Sequence, residues 1–228
     1  MQRLSSTSAA ASSTASATWA SHIAGWLILA IVFAFGLVDW AQQWWAYDRM
    51  AVLDRAQWWR PFTASFTHLT PMHAVTNFLA LVVIGMIPLY WGVLSARRFW
   101  ILLVLLGGIS HMLLLPWRAV TAVWGASAVC HSLVLWYAVW VWLLRRQGGV
   151  GGLYWRLRWA AVAVFAVILA KLWLEQAWLQ PVAPSPVHSF AIVLAAHLTG
   201  SVGGAMVAAA EWLLGRGRFL SRQSGHVP

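Results

Sequence analysis

An all-α membrane bundle of six spans is the fold class the sequence predicts, and three observations predict it. The chain has 228 residues, of which 61% are hydrophobic and only 9% charged. A soluble domain carries about 25% charged residues. The apolar residues run in six long blocks, near 22–38, 72–91, 99–115, 127–144, 159–179 and 187–214, rather than in amphipathic stripes. The arginines gather between alternate blocks, which is how a multi-span chain records its orientation.

The elements follow in order. Residues 1–21 are rich in Ser, Ala and Thr, with one early arginine, Arg3, and no apolar core before residue 22. A cleavable signal peptide needs that core, so a disordered cytoplasmic tail is expected. The loop 39–71 is aromatic and amphipathic, with Trp40, Trp44, Trp45, Tyr47, Trp58 and Trp59, the composition of helices lying in the membrane plane. The third and fourth blocks are at or near the short end of what a span requires, and the sixth has length to spare. The fourth begins Gly125-Ala126-Ser127, so its first turn can lie below the surface. Irregular backbone is tolerated there only where it is buried in protein or lines a wet cavity. Residues 116–124 are the candidate re-entrant loop. A basic tail, 215–228, closes the chain.

Charge sets the orientation. Arg3, Arg97, Arg98, Arg145, Arg146, Arg156, Arg158, Arg216, Arg218 and Arg222 fall on one side of a six-span arrangement. Arg49, Arg55, Arg60 and Arg118 fall on the other, beside Asp39, Asp48 and Asp54. Both termini are therefore cytoplasmic and the 39–71 loop faces outward, in a multi-pass protein of the inner (plasma) membrane. The formal charge of +10 forms no basic face, so nucleic acid is not expected as a partner. Nineteen tryptophans suit membrane interfaces. The single cysteine, Cys130, lies inside a span and excludes an intramolecular disulfide framework, and no C-x-x-C-H haem motif is present. Packing is its expected role.

Polar groups inside spans are costly and often functional. On the second block His73 and Asn77 stand four apart and share a helix face, five residues after His68. Ser127 and His131 repeat that spacing on the fourth. On the sixth, His197, Gly200 and Gly204 form a smooth strip on which another helix can pack closely. Ser127 follows a glycine at the start of a helix, where unpaired N–H groups and partial positive charge favour an oxyanion. One reading joins these into nucleophile, base and oxyanion donors from three helices. Glu175 pairs most simply with Lys171 one turn away, which leaves a Ser–His dyad without an acid. A second reading makes the same groups interhelical hydrogen bonds and nothing more. A third is a metal site of His68, His73, His131 and His197; it lacks an acidic ligand at depth and an HExxH pattern, and its first two histidines are five apart rather than four.

Taken together these motifs resemble a rhomboid intramembrane serine protease. Trp59-Arg60 is similar to the family's Trp-Arg element in its first outward loop. His68-Leu-Thr-Pro-Met-His73-Ala-Val-Thr-Asn77 resembles the second-helix motif, Gly125-Ala126-Ser127 the Gly-x-Ser nucleophile motif, and His197-Leu-Thr-Gly200-Ser-Val-Gly203-Gly204 the sixth-helix motif. The likeness covers residues 60–210, most of a six-span catalytic core at 22–214. It implies cleavage of single-span membrane proteins in or near their spanning segment, inside the lipid bilayer, without cofactor or metal. It implies Ser127 as nucleophile and His197 as base. His73, Asn77 and the Ser127 backbone N–H are implied as the oxyanion hole, and Trp59 and Arg60 as structural supports of the loop.

Two positions depart from the pattern. Ala128 stands where glycine usually follows the nucleophile. His131 stands where a tyrosine often backs the catalytic histidine, and a histidine there resembles the rhombosortase branch, whose substrates carry a C-terminal Gly-Gly motif, a membrane helix and a basic tail. Ala128 and Ser132 occupy positions at which that branch often has glycine. His131 stacks on, hydrogen-bonds to or tunes His197 in this reading. His111 and His188 are expected to be interfacial or packing residues. The alternative function is a catalytically inactive rhomboid-like protein that binds membrane clients; relatives of that kind typically lack the serine or the histidine, and this chain keeps both.

Overall fold

The computed structural model describes residues 22–90, 94–143, 151–176, 178, 179, 182 and 193–214. Helices dominate. Six long ones fall on the six apolar blocks: α1 His22–Phe35, α5 Pro71–Tyr90, α6 Ala96–Met112, α7 Ser127–Leu143, α8 Gly151–Glu175 and α9 Leu194–Leu213. Between α1 and α5 lie the short elements α2 Asp39–Trp45, β1 Tyr47–Asp48, α3 Arg49–Asp54, α4 Arg60–Thr63 and a 3-10 turn, Ala64–Phe66. A second strand, β2 Ala122–Val123, precedes α7 and pairs antiparallel with β1, Tyr47 opposite Val123 and Asp48 opposite Ala122. The two tails, His188 and the start of the sixth block lie outside the described residues; within them the last helix begins at Leu194, so its described length is that of an ordinary span.

Local chemistry explains the helix starts. Thr70 and Pro71 are an N-cap and a first-turn proline, and the Thr70 hydroxyl accepts the His73 amide at 3.2 Å. Ser95 caps α6 through the Arg98 amide, and Asp48 caps α3 through the Ala51 amide at 2.9 Å.

Among the described residues no single helix is long and apolar enough to cross a membrane. Two bent pairs reach that length and apolar composition together: His22–Phe35 with Asp39–Trp45, bent by 97°, and Arg60–Phe66 with Pro71–Met86, bent by 98°. Large apolar side chains nonetheless cover much of the described surface. Ile23, Leu27 and Ile31 on α1, Val75, Leu79 and Val83 on α5, Ile101 on α6, Val167 and Trp173 on α8, and Val202 and Met206 on α9 are all exposed. Arg60, Thr67, His68, Asn77, Ser110, His111, Ser132, His197, Thr199 and Ser201 are buried. A surface of large apolar side chains, with these polar groups held inside a mainly apolar core, is suited to lipid.

With lipid outside, helix association rests on close packing and hydrogen bonds rather than on the hydrophobic effect. The closest pair is α7 with α9. A Cβ at Gly200 would land on the Ala128 carbonyl oxygen, and one at Gly204 on that of Ser132. The buried Ser132 hydroxyl donates to the Gly200 carbonyl at 2.7 Å and meets the Ser110 hydroxyl of α6 at 2.6 Å, tying three helices at one level. At the far ends of the same helices Glu211 accepts from Arg98 at 2.8 Å and from the Trp136 indole at 3.0 Å, with the guanidinium above the Trp136 ring. Trp136, Leu81, Phe99 and Leu106 anchor the core between these layers.

The segment from α2 to the 3-10 turn closes the other end. Arg60 is 5% exposed; its Nη1 donates to the Ala46 carbonyl at 2.9 Å and its Nε to Gln57 at 2.6 Å. The Trp59 indole donates to the Trp44 carbonyl, and the Thr63 hydroxyl to that of Trp45. Tyr47 is fully buried against His111, and burial pushes its phenol up to about 12. His111 packs inside, with its Nδ1 at 2.8 Å from the Gly107 carbonyl.

Candidate active site

Ser127 is the first residue of α7. The first amide of this helix to reach back is that of Cys130, to the Ala126 carbonyl at 2.9 Å. The amides of Ser127, Ala128 and Val129 therefore have no helical carbonyl four residues behind them, and they point out of the helix start with its partial positive charge. The chain enters through Gly125 at φ +101°, a conformation side-chain-bearing residues rarely adopt. Its amide donates to the Ala64 carbonyl at 3.2 Å, and the Arg49 amide donates to the Thr121 carbonyl of the preceding loop, so the segment from α2 to the 3-10 turn holds this turn in place.

Gly125 also makes room for α5. A Cβ on it would lie 2.6 Å from the His73 ring and 3.0 Å from Asn77 Nδ2. The predicted face of His73 and Asn77 thus lies over the turn that leads to Ser127. Behind it the fully buried His68 meets the His73 ring edge-on at 5.1 Å and the Phe33 ring at 4.4 Å. Its backbone is tied on both sides, its amide donating to Gly36 and its carbonyl accepting from Gln42.

His197 arrives from α9, carried in by the contact of Gly200 and Gly204 with α7. Its ring stacks on His131 with centroids 4.3 Å apart and planes 19° from parallel, and His131 Nδ1 lies 2.7 Å from the Ser127 carbonyl. The position four after the serine therefore backs the histidine of the last helix. Ser127, His197, His73 and Asn77 line one cavity of about 350 Å³, together with the 119–124 stretch and Thr76. The cavity lies at the end of the bundle that carries the 119–124 stretch. Cys130 packs in the core among apolar neighbours.

Residues 55–213, well over half the chain, match the family model of the Rhomboid domain. The chain belongs to the rhomboid family. It is accordingly a membrane protein of a family whose members are generally serine intramembrane proteases acting on membrane proteins in the bilayer. A search of curated proteins returned no match.

Two residues escaped the sequence reading. Glu175 was expected to pair with Lys171 alone; it does so, and its carboxylate also reaches His197 Nδ1 at 2.9 and 3.1 Å. Helical spacing reports partners on one's own helix and is silent about the next one. Ser132 stands where a glycine was the comparison, and its hydroxyl became the tie among α6, α7 and α9. The four histidines of the alternative metal reading meet as two ring pairs, His68 with His73 and His131 with His197. Among the described residues no group of three His, Cys, Asp or Glu side chains is arranged to hold a metal.

Proposed function

We propose that this rhomboid is an active serine endopeptidase that cleaves membrane-anchored proteins in or near their spanning segment. The observation that carries the reading is the shared cavity of Ser127, His197, His73 and Asn77, entered through a turn that only glycine fits easily. Ser127 Oγ attacks the scissile carbonyl carbon and its proton passes to His197 Nε2. The carbonyl oxygen takes the negative charge, held by the Ser127 amide, Asn77 and His73. As the intermediate collapses, the C–N bond breaks and His197 returns the proton to the leaving amine. Water then repeats the sequence on the acyl-enzyme. Each oxyanion donor is worth about 2.7–4 kcal/mol in comparable sites.

The catalytic core is residues 22–214 with six spans, both termini cytoplasmic and the cavity facing outward. His131 at the stacking position favours the rhombosortase branch, with substrates carrying a C-terminal Gly-Gly motif, an apolar helix and a basic tail. The test is cleavage in membranes of such a reporter beside a generic single-span control, by wild type, Ser127→Ala and His197→Ala. Loss in both variants with preference for the Gly-Gly reporter is the expected result. Cleavage that persists in Ser127→Ala refutes the mechanism. A folded wild type inert on both reporters transfers the weight to client binding.

A further inference from the structure

Three charged or titratable side chains meet the His197 ring, and none of them lines the cavity. Glu175 and Lys171 come from α8, one turn apart and paired with each other, and His131 comes from α7. Lys171 Nζ lies 3.0 Å from His197 Nδ1, and the two Glu175 oxygens lie 2.9 and 3.1 Å from the same atom. The His197 side chain is 10% exposed and that of Glu175 19%.

The two neighbours demand opposite protons on Nδ1. An ammonium only donates, so a bond from Lys171 requires a bare Nδ1 and leaves the ring proton on Nε2. A carboxylate only accepts, so a bond to Glu175 requires Nδ1–H and leaves a lone pair on Nε2. Only the second tautomer can take a proton from the serine. Both Glu175 oxygens are in reach of Nδ1, and one of them also takes the Lys171 ammonium. That arrangement gives Nδ1–H and Lys171 a common acceptor, the Glu175 carboxylate.

From this geometry we infer that Glu175 is a positioning residue for His197, holding the imidazole as the Nδ1–H tautomer and aiming Nε2 into the cavity, with Lys171 as the cation that keeps the carboxylate ionised at this depth. The inference rests on the assignment of Ser127 and His197 made above. Glu175 touches no substrate and takes no proton. Its charge stabilises the imidazolium that forms when Ser127 is deprotonated. The chain thus has an acid behind its base, supplied by the helix next to the one that carries the base.

The experiment compares wild type, Ser127→Ala, Glu175→Gln and the double variant Lys171→Met/Glu175→Gln, full-length in detergent micelles, on the reporter that wild type cleaves. Glutamine keeps the shape but offers N–H to Nδ1, which holds the wrong tautomer. kcat is expected to fall by about 10²–10⁴-fold, the range for losing a general base or the acid that orients it, with KM little changed. The pH–rate profile should differ from that of wild type in its acid limb. If Glu175 serves only as the counter-ion of Lys171, the double variant recovers the lost activity, and that recovery overturns the inference. So does a Glu175→Gln enzyme with wild-type kcat and pH profile. Proton NMR of the Ser127→Ala protein supplies a second reading that does not depend on turnover or on the folding of Glu175→Gln. A low-field imidazole proton, absent from His197→Ala, marks the Nδ1–H to carboxylate bond; its absence from Ser127→Ala overturns the inference. Because the first comparison is wild type against Ser127→Ala, failure of the protease reading is seen separately from failure of the role of Glu175.

Discussion

The contact of α7 with α9 sets the distance between Ser127 and His197, and Gly200→Ala tests it. A methyl at Gly200 would be driven into the Ala128 carbonyl oxygen, a backbone atom one residue from Ser127. An ordinary C···O contact needs about 3.3–3.6 Å, so the helices must part by roughly 1 Å at this level, since neither backbone can rotate away. Separation also stretches the 2.7 Å bond from Ser132 to the Gly200 carbonyl. Overpacking of this kind costs about 1–3 kcal/mol, and a misplacement of about 1 Å at a reacting pair costs about 10²-fold in rate. Gly203→Ala is the control on the same helix: its methyl would lie 3.1 Å from Ile109 Cγ2, a side-chain methyl rather than a backbone atom, and needs only a few tenths of an ångström of give. Unfolding in detergent and reporter cleavage are measured for both. The expected pattern is Gly200→Ala destabilised and about 10²-fold slower, with Gly203→Ala close to wild type in both. Equal behaviour of the two variants would refute the argument that backbone contact here sets the catalytic distance.

Three further predictions concern the surrounding frame. Gly125→Ala adds backbone strain of about 1–2 kcal/mol and presses a methyl into His73 and Asn77, so kcat should drop while KM holds; wild-type turnover would show that this turn does not set the oxyanion donors. Arg60→Ala removes two bonds from a buried guanidinium, each worth about 1.5–3 kcal/mol for a charged donor; limited proteolysis should then cut the 39–66 segment faster, and Arg60→Lys should recover only part of the protection because one ammonium cannot span the Ala46 carbonyl and Gln57. Unchanged protection in Arg60→Ala would remove Arg60 from its structural role. His131→Tyr keeps a ring against His197 but deletes a second titratable imidazole, so the acid limb of the pH–rate profile should be displaced; a superimposable profile would assign His131 to packing alone.

What was legible in the sequence is what periodicity and local chemistry encode. His73 and Asn77 were placed on one face by spacing, and His197, Gly200 and Gly204 on another, and both faces line up as read. The arrangement of Glu175 was not legible, because i,i+4 spacing to Lys171 accounts for its charge and nothing local points to a residue 22 positions later. The antiparallel pairing of β1 with β2 was hidden for the same reason: two-residue strands 75 positions apart carry no pattern of their own. The shortness of the helices was partly foreseen at the third and fourth blocks, whereas the sharp bends at 36–38 and 67–70 were not.

The departure at Ala128 can now be argued from its neighbours. A methyl after the nucleophile would damage an oxyanion hole only if it pointed into the cavity or forced α7 away from α9. Ala128 is fully buried and belongs to a cluster with Tyr47, Ala64, Val123, Ala195 and Ala196, while its carbonyl, not its methyl, meets Gly200. Three of those neighbours are alanines, and the small volume they leave is the volume the extra methyl fills. The close approach of the two helices is borne by the glycine on α9, so the residue on α7 is free to carry a side chain. Glycine at 128 would leave a cavity of about one methyl group beneath the outer segment, costing on the order of 1 kcal/mol. Under the proposed mechanism, alanine at 128 is therefore accommodated by packing against these small neighbours.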